Sequence, residues 1–270
     1  MSGIQGGGLV WSRSGRLGVW AAFAVVFVPV ILAPLAVVVL AAFAGSWNGV
    51  LPGSLTGRHL EQALSGEQLA SLSVSVQTGL LSGLTAVAVG GWAAVAVRGA
   101  PPALRRLTDA VLHLPIAVSS VVIGLGLLVA FGTSPLLAGT MGMVVIAHVV
   151  LVLAFAHSTV SAALDRLDPA YALVAGSLGA TPARVLWRIR LPLLTPALSA
   201  AGSLSIALSM GEVGATIMVY PASWRTLPVS VFALTDRGRV FLAAAETLVL
   251  LAATLLLLLA LGRMRTRAAK

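Results

Sequence analysis

Six long apolar stretches dominate this sequence: about Leu17–Ala44, Leu69–Val97, Ala110–Phe131, Leu136–Val160, Ala197–Val219 and Val240–Leu261. Each supplies about the 20 residues that a helix needs to cross the hydrocarbon of a bilayer. Inside a bilayer no water satisfies the backbone N–H and C=O groups, so only helices or a closed barrel can cross. A barrel would show short alternating segments, and the sequence has none. The predicted fold is therefore an all-α membrane protein with six transmembrane helices. Composition agrees: 59% of the 270 residues are hydrophobic and 9% are charged, against roughly 25% charged in soluble domains. Pro29 and Pro34 are candidates to kink the first span, and Pro115 the third. Gly79 and Gly83 form a small-xxx-small pair that admits a neighbouring helix at close range. The first apolar run is far longer than the roughly 7–15 residues of a signal-peptide core, so it reads as a retained span.

An even number of spans puts both termini on one side, and the positive-inside rule says which. Of the 17 Lys and Arg residues, 13 lie in the segments on the terminal side: Arg13 and Arg16, the 98–106 loop, the 166–190 loop, and the tail from Arg263. The opposite side holds Arg58, Arg225, Arg237 and Arg239. The termini and the 166–190 loop are thus expected in the cytoplasm. This bias also accounts for the net charge of +9 without any nucleic-acid partner. The expected organisation is a cytoplasmic segment 1–16, a six-span domain 17–262, and a basic cytoplasmic tail 263–270. Polar connections are expected at 45–68 and at 220–239.

The longest cytoplasmic connection, Asp168–Pro192 within a loop 161–195, spells two short helices and a hinge. Asp168 can cap a helix, with Pro169 at a first helical position where its missing N–H costs nothing. That helix should run to about Leu178, and Gly179 can take the left-handed conformation past its end. Thr181 and Pro182 repeat the start, and a second helix should run to Leu191, with Pro192 stopping it. The first helix, with Tyr171, Leu173, Val174, Ala175 and Leu178, has almost no polar side. Such a helix outside the bilayer must bury itself against something, so it reads as a docking element. The second carries Arg184 and Arg188 one turn apart, which suits a helix at a membrane surface.

The run Gly179, nine residues, Ile189, one residue, Leu191-Pro192 resembles the EAA loop of the membrane subunits of binding-protein-dependent ABC importers. The places usually held by Glu-Ala-Ala hold Leu173, Val174 and Ala175. The resemblance implies a type I importer permease fold in which this loop is a coupling helix docked on a cytoplasmic ATPase. Tyr171, Leu173, Val174, Ala175, Gly179, Ile189, Leu191 and Pro192 would form the coupling site. It further implies two ATPase subunits that bind ATP and Mg, a second permease chain, and an extracytoplasmic solute-binding protein, with no cofactor on this chain. The segment Gly211–Phe232, with Tyr220-Pro221, Trp224 and Thr226-Leu227-Pro228, is most similar to 2-aminoethylphosphonate permeases. Permeases for molybdate, sulfate, ferric iron and thiamine are the alternatives.

Much chemistry is excluded by residue type. There is no cysteine, hence no disulfide and no thiolate metal site. Lys270 is the single lysine, so no Walker A loop exists and ATP hydrolysis must belong to another polypeptide. His59, His113, His148 and His157 form no HExxH pair, and His148 reads as a structural or pore-facing residue of its span. No catalytic nucleophile or metal constellation is present, so the chain is not expected to be an enzyme. Two carboxylates, Glu212 and Glu246, lie in apolar surroundings at a cost of roughly 2.5–3.5 kcal/mol each, so they should face protein or a watery path. Glu212 sits between Gly211 and Gly214, which would open space beside it. Glu212, Thr216 and Arg225 are the candidate translocation-path residues. Glu212 could equally serve as an interhelical hydrogen-bonding group, and Arg225 as a rim charge contacting a binding protein. An ion-coupled secondary transporter using Glu212 and Glu246 is the competing class, but no internal repeat supports it.

Overall fold

The computed structural model describes residues 13–268, and it is helical almost throughout. Helices α1 (Arg13–Phe27) and α2 (Ala33–Ala42) join through a π turn at Val28–Leu32 into one span, Gly15–Ala42. The cause of the π turn is Pro34. A proline ring clashes with the carbonyl four residues back, and the preceding residue, Ala33, donates instead to Val28, five back. A short hairpin, β1 (Ala44–Ser46) with β2 (Ser54–Leu55), and the six-residue α3 (Arg58–Ala63) fill the first connection. Then come α4 (Gly66–Val97), α5 (Pro102–His113), α6 (Ser120–Phe131) and α7 (Met141–Arg166).

Three expectations need correction here. The third span, where Pro115 was the candidate to kink the helix, is broken outright. Pro102–Ala117 and Ser120–Phe131 meet at 104°, broken after a 3-10 turn at Leu114–Ala117 that contains Pro115. Among the described residues five helices are long and apolar enough to cross, and six spans result only if this bent pair counts as one. Secondly, Pro192 does not stop the second loop helix. After α8 (Ala170–Ser177), α9 (Pro182–Val185) passes through a π turn at Leu186–Arg190 into α10 (Leu191–Met210), giving one helical span Pro182–Met210. The device is the one used at Pro34: Leu191, just ahead of the proline, donates to Leu186. Thirdly, the fifth span breaks at Gly211–Val213 and restarts as α11 (Gly214–Val219), and the expected polar loop 220–239 contains an apolar helix, α12 (Leu227–Asp236). The last helix, α13, is Val240–Ala268.

Between helices in a bilayer there is no hydrophobic driving force, so close packing and hydrogen bonds hold them. Small residues make this possible along α4, α7 and α10, where Ala86, Ala94, Ala156 and Ala201 are buried together. Gly79 and Gly83 lie against Met210 and Ile206 of α10, as the pair had promised, and at Gly83 a methyl group would overlap Ile206. At Gly90 a methyl would stand 2.9 Å from the backbone nitrogen of His157. Gly124 likewise lets α6 press on α11, its missing Cβ being 2.7 Å from the Ala215 carbonyl oxygen. A second core joins the end of α2 to α12 and α13 through Ala42, Leu227, Leu234 and Ala245. Polar clamps fasten α5 along α7: Arg105 to Asp165 at 2.6 Å, His157 to Asp109 at 2.9 Å, and His113 to Ser158 at 2.7 Å. The Arg98 guanidinium also donates to the Leu164 carbonyl. From Arg16 to Phe27 every residue of α1 is exposed, Trp20 and Phe23 among them, as fits a lipid-facing helix.

Candidate functional site

Two places stand out, and one helix links them. The first is α8 and its turn. An Asp168 side-chain oxygen accepts the Ala170 N–H at 2.8 Å and opens the helix. At the other end Ala180 donates to the Ala175 carbonyl (2.9 Å) and Gly179 to that of Gly176 (3.0 Å), with Gly179 at φ +82°. This is the Schellman arrangement, and the left-handed residue it requires is the glycine expected from the sequence. Thr181 then caps α9 by accepting the Arg184 N–H at 3.3 Å.

No residue of α8 is buried. Leu173 and Leu178 are 72% and 82% exposed, and Tyr171 and Val174 are exposed as well. Ala175 is half-buried. Tyr171 and Ala172 share a small cleft with Ile189 and Leu193. Ile189 thus lies across a cleft from the start of α8. Half-buried Leu191 and exposed Pro192 continue that helix into the span. Arg184 and Arg188 remain exposed.

The second place is a cavity of about 230 Å³ between the α5–α6 bend, α7 and the end of α10. Glu212 lines it, in the break between α10 and α11. One carboxylate oxygen of Glu212 accepts the Ala215 N–H at 2.9 Å and so starts α11. Only at Gly214 is the space beside it filled: a methyl there would overlap the Ser120 hydroxyl. That glycine is needed because α6 reaches the break.

Beside the cavity runs a hydrogen-bond chain that the sequence did not disclose. His148 is buried, with Nδ1 at 2.6 Å from the Ser209 hydroxyl and Nε2 at 2.7 Å from that of Thr216. Ser209 is 2.8 Å from Ser82, and Ser82 donates to the Thr78 carbonyl at 2.6 Å. The single proton of Ser82 is thus used, so Ser209 donates to Ser82 and His148 Nδ1–H donates to Ser209. Thr216 has two acceptors in reach, Nε2 at 2.7 Å and the Glu212 carbonyl at 3.4 Å, and in the neutral ring it donates to the nearer, Nε2. The chain ties α11 to α7, α10 and α4. Its only sequence signal was a histidine in an apolar span with serines in two other spans, and nothing paired them.

The remaining candidates lie elsewhere. Thr216 is wholly buried in this chain and does not line the cavity. Arg225 pairs with Glu67 at 2.9 Å, at the start of α4. Trp224 donates to Thr78 at 3.0 Å and the Leu227 N–H to Ser75 at 2.7 Å, which sews the same segment to α4. Glu246 is wholly buried in α13, and neither carboxylate oxygen has a hydrogen-bond partner among the described residues.

Residues 86–269 match the family described as binding-protein-dependent transport system inner membrane component. A protein of Salmonella paratyphi A is 43% identical over 260 residues, covering 96% of this chain and 98% of that protein. Its designated role, itself provisional, is that of the 2-aminoethylphosphonate transport system permease PhnV. The molybdenum transport system permease ModB of Mycobacterium tuberculosis is 32% identical, over 71% of this chain and 78% of its own. A bacterial alginate ABC transporter, solved with an alginate-bound periplasmic protein, superposes with a TM-score of 0.77 at 16% identity, over 94% of this chain and 95% of the other.

Proposed function

The chain belongs to the family of binding-protein-dependent transport system inner membrane components, and from that premise we propose that it carries 2-aminoethylphosphonate across the membrane. It is the membrane-spanning permease of an ABC importer and not an enzyme; the ATPase is a separate subunit. Support for the solute is the relatedness to the Salmonella phosphonate permease over nearly the full length of both chains. The molybdenum permease is less similar and matches less of the chain.

In this reading two ATPase subunits, holding ATP and Mg, grip the exposed apolar face of α8 on each of two permease chains. Burying Leu173, Val174 and Leu178 there would remove the large apolar exposure that α8 shows by itself. An extracytoplasmic binding protein delivers solute to the face bearing Arg225. Both termini and α8 lie in the cytoplasm, as the excess of arginine on that side supports. ATP-driven closure of the ATPases displaces α8, and the Pro182–Met210 helix carries the displacement to the break at Glu212. That continuity between the docking segment and the cavity is the observation on which the mechanism rests. The test of the solute is growth on 2-aminoethylphosphonate as sole phosphorus source, in a strain lacking this gene and all redundant uptake. Gene-dependent growth on the phosphonate, with equal growth on inorganic phosphate, is expected. Equal growth of both strains on the phosphonate would refute the solute and leave the permease class intact.

A further inference from the structure

We infer that the cavity beside Glu212 is an ammonium subsite, which takes the amine end of a small solute and rejects a bare oxyanion. The inference rests on the importer reading above but names the chemistry of one site within it. Glu212 is the only Asp, Glu, Lys or Arg in the lining, and the other polar groups there come from Ser120, His148 and Ser209. The imidazole does not balance it: His148 is buried, where an unpaired positive charge is costly, and both of its nitrogens are taken by the hydroxyls of Ser209 and Thr216, so the ring turns no N–H toward the cavity. The site therefore offers a carboxylate with no cation to balance it. In apolar surroundings an unbalanced carboxylate is costly, and an incoming cation relieves that cost while an anion increases it.

The geometry leaves the carboxylate available. Oε1 is held by the Ala215 N–H at 2.9 Å, and the other oxygen has no hydrogen bond among the described residues. Phe155 lines the same cavity, and an aromatic face attracts ammonium groups. A volume of about 230 Å³ is below the roughly 300–1,000 Å³ of drug-sized sites, so the occupant is small.

The variant Glu212→Gln separates this role from a purely structural one. The glutamine carbonyl can still accept the Ala215 N–H, so the start of α11 survives while the charge is lost. The complex of this permease with its ATPase subunits, purified without binding protein, is titrated with ethylammonium chloride, sodium ethylphosphonate or 2-aminoethylphosphonate at matched ionic strength, and Tm is read. Ethylammonium and 2-aminoethylphosphonate should raise the wild-type Tm, and ethylphosphonate should not. The apparent Kd for ethylammonium should weaken at least 10-fold in E212Q. A response to ethylphosphonate alone, an unchanged response in E212Q, or no response to either amine overturns the subsite. In the wild-type complex, tetramethylammonium, which cannot itself couple to an activated carboxyl, should also protect Glu212 from carbodiimide modification read by mass spectrometry; failure to protect counts against the subsite even if E212Q does not assemble. Gene-dependent growth on the phosphonate together with a silent amine titration would sink the subsite and spare the transport assignment.

Discussion

Gly179 allows the coupling mechanism to be tested with a single backbone angle. Its φ of +82° is left-handed, and nothing lies within 4 Å of where a Cβ would stand. A side chain there meets no neighbour within this chain, so the effect of substitution on the permease itself is conformational. A non-glycine residue in this region costs about 1–2 kcal/mol, and asparagine tolerates it best. If docking on the ATPase requires this turn, that penalty falls on the docked state. At about 1.4 kcal/mol per factor of ten it weakens docking about 5- to 30-fold in Gly179→Ala. The expected order is wild type, then Asn, then Ala, with the β-branched Val worst. Gly176→Ala is the matched control, since Gly176 lies within α8, also with nothing within 4 Å, at an ordinary φ. There the alanine should favour the helix by up to about 1 kcal/mol. The assay titrates purified ATPase subunits against the detergent-solubilised permease and reads permease-dependent ATP hydrolysis. Wild-type affinity in Gly179→Ala and Gly179→Val would refute the claim that the left-handed turn belongs to the docked state.

Other substitutions test the packing and the polar chain. Gly90→Ala must move the α7 backbone near His157 and should cost about 1–3 kcal/mol, whereas Gly126→Ala, with open space around it, should leave Tm unchanged or raised. Replacing His148 by Leu takes one partner each from the buried Ser209 and Thr216 hydroxyls and should destabilise by about 1–3 kcal/mol; a thermal melt in detergent reads it, and Ser209→Ala in the same background should then add less than it does alone. For Arg225 and Glu67, whose pair is exposed on the Glu67 side (74%), a double-mutant cycle should return a stability coupling below about 1 kcal/mol. Under the rim-charge reading, Arg225→Ala should nonetheless slow uptake driven by the binding protein.

The architecture was legible to the extent that it follows from local rules. Asp168, Gly179 and Thr181 act through side-chain and backbone preferences that operate within a few residues, and all three do in the fold what their types imply. Apolar length revealed where the chain enters the bilayer. Pro115 marked where the third span bends, but not that the bend reaches 104°, because the angle is set by what each arm packs against, as α5 does on α7. Pro192 was misread for a related reason. Proline ends a helix unless the turn before it can widen, and that option is exercised by packing rather than by proline itself. The cavity was half visible. Glu212 is conspicuous as a charge among apolar residues, but the His148 chain joins residues far apart in sequence, from Ser82 to Thr216, and no spacing rule connects them.

The unbroken helix from Pro182 to Met210 also governs how this region can vary. A loop absorbs an added or lost residue as slack, but a helix converts it into rotation, about 100° per residue. One residue inserted near Pro192 would turn α8 and its docking face about a third of a revolution away from the side of α10 that packs on α4 and α7. The π turn at Leu186–Arg190 is already one such added residue, retained where the proline needs it. The stretch between docking turn and bilayer should therefore accept many substitutions while holding its length fixed, because the two ends of the helix must stay in phase.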